Sequence, residues 1–193
     1  AIKSKLFSHV IVSSDSKKIR DIAISYGAES PTLRPKRLAK DSIGIIHVLI
    51  HEIKILKKLG YDFDTVVTRD CTVPFINSKH MKESISLLQK KDCHGVYAVY
   101  KQHLNPYFNM VEPNPKGFLR ISKKPKEEIK SRQKAPLVYQ LNGLFTFNVE
   151  SLLKYKKLFM PKTIPYEISQ KSGFMIDTLF EFKIAKFLFE EKF

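Results

Sequence analysis

Short apolar runs alternate with amphipathic helical stretches along the first half of this chain, and that alternation limits the possible folds more than any other feature. HVIVSS (9–14) reads as a short buried strand, and DSKKIRDIAISYG (15–27) as a helix capped by Ser14 or Asp15 and ended by Gly27. SIGIIHVLIHEIKILKKLG (42–60) is apolar at helical spacing and stops at Gly60. DTVVTR (64–69) predicts a strand, SKHMKESISLLQKK (78–91) a helix and HGVYAVY (94–100) another strand. Repeated βα units of this size predict an α/β fold with a mostly parallel sheet and helices on both faces. With 43% apolar and 11% aromatic residues over 193 positions, one globular domain of 1–193 is expected.

Beyond residue 100 the rhythm changes. Prolines at 106, 113, 115, 125 and 136 punctuate an irregular basic stretch, with a hairpin signal around Gly117 and a mobile surface loop predicted at KKPKEEIKSRQK (123–134). QLNGLFTFN (140–148) returns to the sheet and ESLLKYKK forms a short helix. MPKTIPYEIS (160–169) reads as extended, because two prolines exclude a helix. DTLFEFKIAKFLFEE (177–191) predicts a helix with a strong apolar stripe. The opening AIKSKLF reads as the last turns of a helix.

In open α/β sheets, ligands bind beyond the carboxyl ends of the strands. That rule singles out Ser13 to Ser16, Arg69 to Pro74, Asn142 to Gly143, and Asp177. No apolar run approaches the roughly 20 residues that span a bilayer, and no secretory leader pattern is present. Cys71 and Cys93 form no zinc spacing and no disulfide framework, so a reducing cytoplasm is expected. The net charge of +15 has two readings: compositional enrichment in lysine, or a polyanionic partner such as a nucleoside triphosphate, a nucleic acid or an anionic membrane. Charge alone does not choose between them. A nucleic-acid role finds no helix-turn-helix, zinc-finger or RRM signature, and the aromatics sit mostly in apolar runs.

Five segments taken in order carry a resemblance. They are SKLFSHVIVSSDSKKI (4–19), YGAESPTLRPKRLAKDS (26–42), RDCTVPFI (69–76), YQLNGLFTFN (139–148) and MIDTLFEFKIA (175–185). Together they resemble the acylneuraminate cytidylyltransferase family, which includes CMP-sialic acid synthetase. The resemblance implies a three-layer Rossmann-like nucleotidyltransferase fold with a mostly parallel sheet, plus an extended dimerisation segment at 160–169 and hence a homodimer. It implies transfer of CMP from CTP to a nine-carbon acidic 2-keto sugar with Mg2+ assisting, and no nucleic-acid or membrane partner. Such a transfer runs on positioning and charge neutralisation.

By position, the resemblance assigns Asp177 to the metal and Asp70 and Asp177 to the catalytic set. It assigns Arg34, Ser14 and Asp15 to the nucleotide. Asn142, Arg132, Gln140 and Thr72 fall to the sugar, a guanidinium such as that of Arg132 being suited to a carboxylate. Asp177 has a second reading as the N-cap of the last helix, and Arg34 and Arg132 as solvated loop charges. Three departures stand out: Asp70 where the family has Gln, Gln140 where it has Arg, and Met175 where it has the first of two metal-binding aspartates. They open the sugar to legionaminic-type acids as well as sialic acid. They also leave an alternative, a relative that keeps the fold and binds a sugar or partner without turnover. The chain is expected to begin after the family's first strand and phosphate loop, which would leave an open seam in the sheet and the chain by itself inactive.

Overall fold

The computed structural model describes residues 1–125 and 127–191; Lys126, in the predicted surface loop, lies outside the described residues. The helices are α1 (Lys17–Ser25), α2 (Ile45–Lys58), α3 (Ser78–Lys90), α4 (Val149–Tyr155) and α5 (Leu179–Glu190). The strands are β1 (Thr65–Arg69), β2 (Gly95–Lys101), β3 (Val111–Pro113), β4 (Leu119–Ile121), β5 (Tyr139–Asn148) and β6 (Thr163–Glu167). Four of them form a sheet in the order β1-β5-β2-β6, and β3 pairs with β4 in the hairpin expected around Gly117. Gly117 has φ +83°, a left-handed conformation that few side chains tolerate, which is why the turn falls there.

Strand direction follows from the bonds at the strand ends. β1 and β5 are antiparallel, Thr65 facing Asn148 and Arg69 facing Leu144. The Asn148 N–H bonds the His94 carbonyl at one end of the β5–β2 pair, and Gln102 bonds Gln140 at the other, so these two also run antiparallel. His94 bonds Lys162 and Ile168 bonds Val99, which makes β2 and β6 parallel. Three strands therefore share one direction, and β5 is the reversed strand between two of them.

The chain divides into two compact units. Unit 1 holds residues 1–69, 76–97 and 144–164; unit 2 holds 70–75, 98–143 and 165–193. The core of unit 1 is built on Tyr97, Phe147, Ile53, Leu144 and Leu152, all essentially inaccessible to solvent. Tyr97 packs edge-on against Phe145 and Phe147 at 4.9 and 5.4 Å between ring centres. Ser84 of α3 and Thr146 of β5, both fully buried, satisfy one another at 2.8 Å. Beside β1 runs a groove of about 720 Å³, lined in part by Phe7, Ile11, Ile53 and Val67. In unit 2 the buried residues include Val73, Val99, Tyr100 and Ile168.

Several elements differ from the sequence reading. Residues 9–14 form no strand: Ile11 alone bridges Glu29 in parallel, because no neighbour extends the ladder. The opening helix is a single 3-10 turn at Ile2–Ser4. The cap of α1 is Ser16, whose side chain accepts the Ile19 N–H; Ser14 and Asp15 lie too far upstream. Segment 160–169 is extended as read: its residues Thr163–Glu167 form β6 at the edge of the sheet beside β2, where Pro165 costs no ladder bond it could have made. On α5 only Ala185 is buried; Leu179, Phe180, Phe182, Phe187 and Phe189 are exposed.

Candidate active site

The expected site residues divide between the two units, and each group has its own geometry. In unit 1, Ser14 is buried and Arg34 lies half-buried beside it. The Arg34 N–H donates to the Ser14 carbonyl at 3.0 Å, joining the loop before α1 to the loop after residue 30. The Arg34 guanidinium pairs with Asp15 at 3.5 Å, while its Nε is buried and has no partner among the described residues. Ser14 Oγ accepts the Ser16 N–H at 3.1 Å, which shapes the entry into α1. The result is a cation fixed near a helix N-terminus, an arrangement suited to an anionic group.

In unit 2, Asp70 leaves the end of β1 and its N–H donates to the Gly143 carbonyl at 2.9 Å. Burial raises the Asp70 carboxyl above its ordinary 3.8. The following turn reaches Thr72, whose carbonyl accepts the Ile176 N–H at 2.9 Å. That bond brings the Met175–Asp177 stretch next to the end of the Asp70–Thr72 turn. Asn142 is 1% exposed; its Nδ2 donates to the Gly173 carbonyl at 3.3 Å, and its buried Oδ1 has no partner among the described residues. An acceptor left this way costs stability unless something else bonds it. Gln140 accepts from Gln102 at 2.7 Å through Oε1 and turns Nε2 toward Met175 Sδ at 3.9 Å.

Two expected residues are placed differently. Arg132 lies exposed in a 3-10 turn, Arg132–Lys134, with no side-chain bond among the described residues. It is not gathered with Asn142 and Gln140 by any contact. Asp177 is exposed and does not cap the last helix: Thr178 does, its Oγ1 accepting the Glu181 N–H in a reciprocal capping box. Nor does Asp177 follow a strand; a loop separates it from β6. The Asp177 backbone N–H donates to Glu181 at 2.8 Å, and its carboxylate has no bond among the described residues.

No group of three His, Cys, Asp or Glu side chains that could hold a metal occurs among the described residues. An Mg2+ ion takes one or two carboxylates and completes its shell with water and substrate phosphates. The uncommitted Asp177 carboxylate fits that requirement as a single anchor, and Met175 supplies no second oxygen. Residues that the sequence did not single out are Gln102 and Gly173. Gln102 follows directly on β2, so the rule of strand carboxyl ends points to it. Gly173 is needed because a Cβ there would meet the Tyr100 ring at 2.3 Å.

Residues 1–192 match the family model described as Cytidylyltransferase. The chain belongs to the cytidylyltransferase family. A post-translational flagellin modification protein B of Campylobacter coli is 28% identical over 196 residues, covering 100% of this chain and 81% of that protein. A CMP-N,N'-diacetyllegionaminic acid synthase of Campylobacter jejuni is 28% identical over 194 residues, with 100% of this chain and 81% of that one covered. Among solved structures, CMP:2-keto-3-deoxy-manno-octonic acid synthetase complexed with CTP superposes with a TM-score of 0.69 at 12% identity, over 100% of this chain and 85% of that one. At that identity the likeness establishes the fold, a cytidylyltransferase-type α/β fold. No helix among the described residues is long and apolar enough to cross a membrane.

Proposed function

We propose that this cytidylyltransferase, in its full-length form, transfers CMP from CTP to a nine-carbon acidic 2-keto sugar of the legionaminic or sialic type. The observation that carries this reading is the buried Oδ1 of Asn142, without a partner among the described residues, in a chain whose relative is named for a CMP-diacetyllegionaminic acid product. A sugar hydroxyl or amide N–H is the partner that such an acceptor lacks.

In the reaction the anomeric hydroxyl oxygen bonds to the α-phosphorus of CTP. The bond from that phosphorus to the oxygen bridging α and β breaks, pyrophosphate leaves with the electron pair, and the hydroxyl proton passes to solvent or a nearby base. Asn142 and Gln140 orient the sugar, and Asp70 and Thr72 lie on the turn of unit 2 that is bonded to Gly143 and Ile176. Asp70, its carboxyl raised by burial, is suited to a sugar hydroxyl, either as acceptor or, protonated, as donor. Arg34, steadied by Asp15 and the Ser14 carbonyl, is suited to the nucleotide phosphates. Asp177 would hold Mg2+ together with triphosphate oxygens, and the ion would neutralise charge there. Arg132 is free to meet the sugar carboxylate from the exposed 132–134 turn.

A homodimer belongs to this reading, supported by the edge position of β6 and the exposed phenylalanines of α5. The reading without turnover draws on Met175, which offers no second acid beside Asp177. One experiment separates the two: incubation of the full-length protein with CTP, Mg2+ and a panel of nine-carbon acids, with pyrophosphate and CMP-sugar both quantified. Formation of the two products in equal amounts is the expected result. Sugar binding by calorimetry without either product would establish the inactive relative instead.

A further inference from the structure

The side chain of Gln102 uses both ends of its amide inside unit 2. Its Oε1 accepts the His103 backbone N–H at 3.1 Å. A backbone N–H can only donate, so this bond fixes which end of the amide is oxygen. The other end, Nε2, donates to Gln140 Oε1 at 2.7 Å and lies 3.5 Å from the Tyr100 hydroxyl. Orientation then passes to the next residue. With Oε1 of Gln140 taken, its Nε2 must face away from Gln102, where it meets Met175 Sδ at 3.9 Å. A thioether is a weak acceptor, and the Gln140 amide hydrogens are barely used. Two residues further along β5, on the same side of the strand, Asn142 carries its unpartnered Oδ1. Strand rise separates the two positions by about 7 Å. One strand face therefore presents an under-used donor and an unused acceptor at a fixed spacing.

We infer that Gln102 is a positioning residue that locks the Gln140 carboxamide with its N–H end toward the sugar, so that a substrate oxygen is read there by a neutral donor. This rests on the proposed CMP transfer. The polarity of the subsite is set by a relay of three groups: the His103 N–H orients Gln102, and Gln102 orients Gln140. A cation at position 140 would hold an anionic oxygen by charge; the oriented amide selects by direction, and accepts a carbonyl or hydroxyl oxygen as readily as a carboxylate.

The relay makes Gln102→Glu the informative change. A carboxylate still accepts the His103 N–H, but it can only accept from Gln140 as well, so it draws Nε2 inward and turns Oε1 outward. In the full-length protein the KM for sugar should rise about tenfold in Gln102→Glu and about fivefold in Gln102→Ala, the scale of one lost or inverted hydrogen bond. The KM for CTP should stay within about twofold, because the relay touches no nucleotide group. Gln102→Ala combined with Gln140→Ala should be no worse than Gln140→Ala alone. Equal sugar KM in Gln102→Glu and the unchanged protein, a matching rise for CTP, or effects that multiply in the double variant would each overturn the inference. Side-chain amide signals in 15N NMR decide the relay without turnover: those of Gln140 should move in Gln102→Glu, and should shift in the unchanged protein when the sugar is added alone. If no nine-carbon acid is converted, the CMP-transfer reading fails, and unmoved Gln140 signals in Gln102→Glu overturn the relay independently.

Discussion

The carboxyl group of Asp70 lies against the α-carbon of Gly143: a Cβ built there would stand 2.6 Å from both Cβ and Oδ2 of Asp70. The Asp70 N–H is at the same time bonded to the Gly143 carbonyl at 2.9 Å, so neither backbone can withdraw. The glycine is needed for space and not for an unusual dihedral angle. Gly143→Ala should therefore push the Asp70 side chain away from residue 143 and destabilise the protein by about 1–3 kcal/mol, the usual cost of overpacking. Thermal unfolding checks the stability, and sugar KM checks the displaced carboxyl. An unchanged melting temperature and KM would mean that the carboxyl has room to move.

Asp70 also predicts a pH dependence. Burial raises its folded pKa above the ordinary 3.8, so the folded chain holds the proton over a range in which the unfolded chain has lost it. Through that range the folded state binds more protons, and stability falls as pH rises. The contribution is fully present below 3.8 and lost once pH passes the raised value. Asp70→Asn, which cannot ionise, should raise the melting temperature at pH 7, and the gain should vanish toward pH 3.5. A gain of equal size at both pH values would assign it to packing instead of ionisation.

The strands and helices with long apolar runs were legible because burial demands a periodic pattern: α2, α3, β1, β2 and β5 lie within a residue or a few of their sequence ranges. The reversed direction of β5 was not, since alternation and apolarity carry no sign. Residues 9–14 have a strand's composition, yet only Ile11 finds a bridge partner, and composition does not supply a neighbour. In the site, Asp70 could be read from the end of β1, whereas Asn142 lies inside β5, toward its amino end, because that strand runs in reverse. The same rule reaches Gln102, directly after β2, but not its role, which depends on a partner 38 residues away and on which way an amide is turned. The run Ser13-Ser14-Asp15-Ser16 offers several caps in a row, and backbone geometry alone selects Ser16.

Asn142 should be more important to binding than to folding. Among the described residues its Oδ1 has no partner, and its side-chain bond to Gly173 is long at 3.3 Å. Asn142→Leu then removes a buried acceptor that is unsatisfied in the free chain, and should change stability by no more than about 1 kcal/mol. The same variant should lose sugar binding at least about tenfold by calorimetry, because the hydroxyl or N–H that met Oδ1 is left unpaired. A large loss of stability with intact sugar affinity would make Asn142 a structural residue.

Asp177 and Thr178 are adjacent, and the structure gives them separate tasks that mutation can part. Thr178 carries the cap of α5 through the Glu181 N–H, with Glu181 bonding back to the Asp177 and Thr178 N–H groups. Thr178→Ala should cost about 1 kcal/mol of stability while leaving the Mg2+ requirement in place. Asp177→Asn keeps every backbone bond of the box and removes only the exposed charge. It should leave the melting temperature unchanged, lower turnover of the full-length protein at least about tenfold, and raise the Mg2+ concentration needed for half-maximal rate. Titration of Mg2+ against rate in the two variants reads both tasks at once. Normal turnover and normal Mg2+ dependence in Asp177→Asn would remove the metal assignment, since no other described bond ties that carboxylate to the chain.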